Sequence, residues 1–128
     1  MKTLVTDIVK KDRLTYVVFS SPAGEGFGIW QSGAEPERKS YDVEFDFDQR
    51  VQTDMIVYDD CEPSFTRVGE ETAVHAKIDA VDDDGMAYLR LHASCLVMSE
   101  SDLTPSAKNS RIFFTLSKDQ ITLTPFGI

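Results

Sequence analysis

The sequence predicts a mainly β fold: a single-domain antiparallel β-sandwich or small β-barrel of seven to nine strands, with little helix. Three observations point there. Period-two alternation of apolar and polar residues recurs along the chain while helical periodicity is weak. Turn-forming clusters divide the alternating runs at short intervals. Finally, 128 residues with eight Phe, four Tyr and one Trp suffice for one core without disulfide staples.

Residues 3–9 and 14–19 read as strands, the second (LTYVVF) rich in β-branched and aromatic types. SSPAGEG, residues 20–26, reads as a turn, and FGIWQ, 27–31, as a short strand. A polar loop, 32–39, precedes the strictest alternation in the chain. Within residues 40–48, Tyr41, Val43, Phe45 and Phe47 fall on one face and Asp42, Glu44, Asp46 and Asp48 on the other. Residues 51–58 continue or pair with that strand, and DDCEPS, 59–64, turns the chain.

A hairpin is expected over 72–98, as two strands, 72–82 and 86–98. An Asp84-Gly85 two-residue loop pairs Ala80 with Leu89 and Ile78 with Leu91, and on the other face Asp79 with Arg90 and Lys77 with His92. A three-residue loop sets apolar residues against polar ones throughout and is rejected; a four-residue loop keeps the faces aligned. The polar stretch 99–110 is long for a connection. RIFFTL and ITLTPF around SKDQ predict a closing hairpin, with Pro125 marking an edge or terminal position. An OB-like and an SH3-like barrel both fit this pattern, as does a sandwich.

The net charge of −9 disfavours nucleic acid and anionic membrane surfaces as partners. No apolar run approaches the roughly 20 residues of a membrane span, and MKTLVTDIVKKDRL lacks the apolar core of a secretory leader, so the expected compartment is the cytoplasm. Of the two cysteines, Cys95 falls on an apolar strand face and is expected buried and reduced; a bridge to Cys61 stays open.

Segment 41–62 holds eight acids, Asp42, Glu44, Asp46, Asp48, Asp54, Asp59, Asp60 and Glu62, against one base, Arg50, and so carries most of the net charge. Carboxylates on one strand face stand ~6.8 Å apart and repel by roughly 0.6 kcal/mol per adjacent pair in water. Such a face belongs in water or against a positive partner. It reads as a solvated face, a charged edge that blocks aggregation, or a docking surface for a basic protein.

Other motifs carry less. Asp82-Asp83-Asp84-Gly85 fails the EF-hand pattern and reads as a turn. Gly24, Gly26 and Gly28 have the wrong spacing for a dinucleotide fingerprint, and Phe27 and Trp30 beside them read as core. In the expected hairpin His75 and His92 lie diagonally on the polar face with Lys77, Asp79 and Arg90, a candidate small-ligand face. No third ligand converges there for zinc. Gly-x-Ser-x-Gly, His-Glu-x-x-His and Cys-x-x-Cys are absent.

The sequence therefore predicts a non-catalytic protein-binding module with no cofactor and no metal. Its acidic surface would dock a basic partner, in the manner of an inhibitor or immunity protein. Two alternatives stand beside it: a structural or assembly subunit acting through homo-oligomerisation, and a small-ligand-binding or enzymatic barrel using the His75/His92 face.

Overall fold

The computed structural model describes residues 1–127. Eleven strands form one continuous sheet: β1 (Lys2–Lys11), β2 (Leu14–Ser21), β3 (Gly24–Trp30), β4 (Ser40–Phe47), β5 (Ile56–Val57), β6 (Ser64–Val68), β7 (Glu71–Val81), β8 (Met86–His92), β9 (Cys95–Glu100), β10 (Arg111–Ser117) and β11 (Ile121–Pro125). The mainly β expectation holds, in the form of a small barrel with strands appended.

Five strands close the barrel. β1, β2 and β3 form a meander, β4 pairs with β1, and β11 fits between β4 and β3. The closing β11–β3 contact is parallel, Thr122 opposite Ile29 and Leu123 opposite Trp30. The ring has the five strands of an OB-like barrel. The remaining strands enter between β4 and β11 in sequence and join the barrel where Gly24 of β3 meets Phe65 of β6.

The glycines of 24–28 lie within a strand rather than a turn. A Cβ on Gly26 would stand 2.3 Å from the Phe19 ring, and one on Gly28 would stand 2.8 Å from the Ile121 carbonyl oxygen. Only a bare backbone lets Phe19 and β11 approach this closely. Phe19 then meets Phe45 and Phe65 at ring-centroid distances of 5.2 and 5.6 Å, and Phe47 continues the contact to Phe114 at 6.1 Å. These rings carry one buried core from the barrel into the appended sheet. Phe27 and Trp30 are buried, as expected.

Four further expectations are corrected. First, residues 86–98 fold back as two strands, with Ala93 and Ser94 at the turn. No glycine marks this turn. Instead, Ser94 N–H donates to His92 Nδ1 at 3.2 Å, and Arg90 Nη1 donates to the Ala93 carbonyl at 3.3 Å.

Second, the β7–β8 register differs. Ile78 pairs with Leu89 and Lys77 with Arg90, while Ala80 pairs with Tyr88. Asp82 N–H bonds the Met86 carbonyl and Gly85 takes φ +83°, which gives a three-residue loop. The apolar-against-polar clash that argued against such a loop is removed by a β-bulge at Asp79, which restores Ile78 opposite Leu89.

Third, β10 and β11 form no hairpin, because β10 pairs with β7 and β5 while β11 closes the barrel. Pro125 ends β11 opposite Val43, a terminal rather than an edge position. Fourth, residues 51–58 do not extend the preceding strand: Val51 bridges Ser101, and Ile56–Val57 pairs with β10. β6 itself went unrecognised in the sequence. The 99–110 stretch is tied down, since Ser101 Oγ donates to the Gly85 carbonyl at 2.6 Å and Leu103 is buried.

The crossing from the appended sheet to the barrel, Lys118–Gln120, is pinned to β2. Tyr16 donates its hydroxyl to Asp119, and Lys118 reaches Glu70 at 2.9 Å. The Asp119 hydrogen bond, with burial, pushes the Tyr16 phenol up to about 12. Against about 10 for a free phenol, the folded state holds the proton more tightly. This contribution to stability is fully present below the unfolded value and is lost as pH rises through the folded one. In an alkaline spectrophotometric titration, one of the four tyrosines is expected to ionise late. Asp119→Asn should bring that step to lower pH, and Tyr16→Phe should remove it.

Candidate functional site

Every other residue of β4 is buried, so Asp42, Glu44 and Asp46 project to solvent as the alternation predicts. β4 pairs with β1 on one side through residues 40–42, Asp42 lying opposite Lys2, and with β11 on the other through residues 43–47, Glu44 and Asp46 lying opposite Thr124 and Thr122. Beyond Val43, whose N–H bonds the Met1 carbonyl, β1 no longer covers its side of β4, so Glu44 and Asp46 flank an edge with no strand partner among the described residues, and a charged edge that blocks aggregation stands beside docking as a reading of them. Among the described residues none of the three carboxylates makes an ion pair. Asp48 follows the strand and is exposed.

The other four acids of the segment sit elsewhere. Asp54 lies on a 3-10 turn, Thr53–Met55. Asp59, Asp60 and Glu62 lie on the exposed connection from β5 to β6, against the appended sheet.

That connection passes over β7. One edge of β7 is shared end to end: β6 takes Glu71 to His75 and β8 takes Lys77 to Val81. Where the two partners diverge, a cleft of about 490 Å³ opens between Glu62–Pro63 and the end of β8. Lys77, Arg90, His92 and Arg111 line it, an accumulation of bases in an acidic chain. Arg90 is largely engaged: its Nε and Nη2 reach Asp79 Oδ2 at 2.9 and 2.8 Å. The expected Asp79–Arg90 pair thus forms despite the different register, because Asp79 is the bulged residue. Lys77 makes no ion pair among the described residues.

His75 and His92 do not form the expected diagonal pair across one hairpin. Lys77 faces Arg90 rather than His92, and His75 is flanked by Ser64 of β6 and Phe113 of β10. The His75 ring packs on Phe113 at a centroid distance of 4.6 Å, and its Nε2 lies 3.7 Å from Asp59 Oδ2. His92 instead accepts the Ser94 N–H at the β8–β9 turn.

Arg111 was not singled out by the sequence. It sits opposite Lys77 on β10, and its Nη1 donates to the Cys61 carbonyl at 2.6 Å, which holds the 59–63 connection against the sheet. Its strand alternation is visible in the sequence, but the β10–β7 pairing is not.

Comparison with known protein families, with characterised proteins and with solved structures finds no match. Among the described residues no helix is long and apolar enough to cross a membrane.

The two cysteines are free, Cys61 exposed and Cys95 buried, so no bridge joins them. Burial pushes the Cys95 thiol up to about 11, which keeps it protonated and poorly nucleophilic at neutral pH. An aromatic disulfide reagent should therefore titrate one thiol rapidly in the native protein and the second only in denaturant. Cys61→Ser should abolish the fast phase, and Cys95→Ala should leave it.

Proposed function

We propose that the chain is a protein-binding module that docks a basic partner on the outer face of β4. The observation that carries this reading is the state of Asp42, Glu44 and Asp46. They are three exposed carboxylates in a row on one strand face, and among the described residues none of them has an ion-pair partner. A compact anionic face of this kind speeds association with a positive surface and fixes its register. An inhibitor of the immunity type, covering a substrate surface built for phosphates, is one concrete form.

A second reading rests on the cleft between β6 and β8. Lys77 and Arg111 there suit a small anionic ligand. It is separable from the first, being indifferent to the β4 charges and sensitive to Lys77.

The test is capture of basic proteins from native extract on the immobilised chain, followed by kinetics with whatever is retained. The Asp42→Lys, Glu44→Lys, Asp46→Lys variant should fold normally and slow association about tenfold or more at low salt. Raising the salt should narrow the difference. Equal affinity and equal salt dependence for the two proteins would reduce the stripe to a solvated face.

A further inference from the structure

The chain folds Asp59, Cys61 and His75 together although thirteen residues lie between the second and the third in sequence. Each offers one donor atom, a carboxylate oxygen, a thiol sulfur and an imidazole nitrogen, and these three atoms lie within 4.8 Å of one another. We propose that they form a binding site for a single divalent ion of the zinc class.

The Asp59–His75 separation supports this. At 3.7 Å, Oδ2 and Nε2 are too far apart for a hydrogen bond between them. Two ligands of one tetrahedral ion, bound at about 2.0–2.3 Å each, stand about 3.3–3.8 Å apart. The pair is thus spaced to share an ion, within a few tenths of an ångström. Asp59 Oδ1 accepts the Cys61 N–H at 3.1 Å, which leaves Oδ2 turned toward His75. The Phe113 ring fixes the imidazole from one side, and Arg111 holds the Cys61 backbone.

The donor set selects the ion. One thiolate and one imidazole exclude the hard, oxygen-seeking calcium and magnesium and suit a borderline metal such as zinc. Binding displaces the Cys61 thiol proton to solvent and sets two negative ligands against the 2+ charge, leaving a neutral first coordination sphere. Three protein ligands leave the fourth position for water or an external ligand, as in zinc sites that take part in chemistry. The exposure of Asp59 and Cys61 leaves that position reachable. The proposal is independent of the β4 surface.

Cobalt(II) is the direct probe, titrated into the reduced full chain carrying no polyhistidine tag. The expected result is saturation at about one equivalent, with a thiolate-to-cobalt charge-transfer band and intense tetrahedral d–d bands, both removed by added zinc. Cys61→Ser should abolish the charge-transfer band. His75→Ala should weaken binding by more than the roughly 10–100-fold that loss of an outer-shell partner costs. Cys95→Ala, a change at a buried cysteine outside this donor cluster, should keep the spectrum. Circular dichroism of each variant separates a lost site from a lost fold; because Cys61 is exposed, its serine variant reports on the site even if the His75 variant unfolds. Absence of a one-equivalent complex, a spectrum without the charge-transfer band, or a band that survives Cys61→Ser would overturn the proposal.

Discussion

Strand β7 offers eleven residues of edge, and neither β6 nor β8 fills it alone. A strand edge left unpaired leaves backbone donors and acceptors without partners, so the two shorter strands meet it in succession. At their junction the sheet cannot stay continuous, because β8 departs at its end to turn into β9 while β6 arrives from the 59–63 connection. The cleft, the bases that line it and the meeting of Asp59 and Cys61 with His75 all follow from that junction. The Asp79 bulge makes it possible, since it shifts the β7–β8 register by one residue while Ile78 and Val81 both stay in the core.

The acidic face depends on a different constraint. β4 lies between β1, which covers its first half, and β11, which covers its second, and its side-chain pattern decides what faces water. Tyr41, Val43, Phe45 and Phe47 bury one face, and the acids are left outside. The barrel closes around those rings because Gly26 and Gly28 admit Phe19 and β11 at distances that any side chain on β3 would prevent. Phe65, in contact with Phe19, Phe45 and Phe47, then couples the barrel to the appended sheet.

Local features were legible in the sequence and long-range pairings were not. Alternation gave the buried and exposed faces of β4, of β8 and of β7 as far as Ile78, because side-chain direction along a strand has a period of two; past the Asp79 bulge Ala80 turns outward and Val81 inward, against the expected face. The break at Ala93–Ser94 left no trace, since the apolar alternation runs through it and side chains of Arg90 and His92 do the work of a glycine. The closing hairpin failed for a related reason: SKDQ is a good connection for adjacent strands and for strands in different parts of the sheet alike. At the candidate site, the exposure of each acid could be read, and so could the opposition of Asp79 and Arg90. The assembly of Asp59, Cys61 and His75 required knowing that β6 follows Cys61 and pairs with β7, and β6 itself is a short, half-exposed strand with weak alternation. Arg111 was hidden in the same way, behind the pairing of β10 with β7.

The shared edge of β7 is the point on which the site stands, and cross-strand nuclear Overhauser contacts in the isotope-labelled protein test it directly. The structure predicts contacts between Lys77 and Arg90 and between His75 and Ser64, with none joining Lys77 to His92. Contacts from Lys77 to His92 and from His75 to Ser94 would instead mean one continuous β7–β8 hairpin. That register would close the cleft, displace β6 from the edge and leave Asp59 and Cys61 with no reason to meet His75.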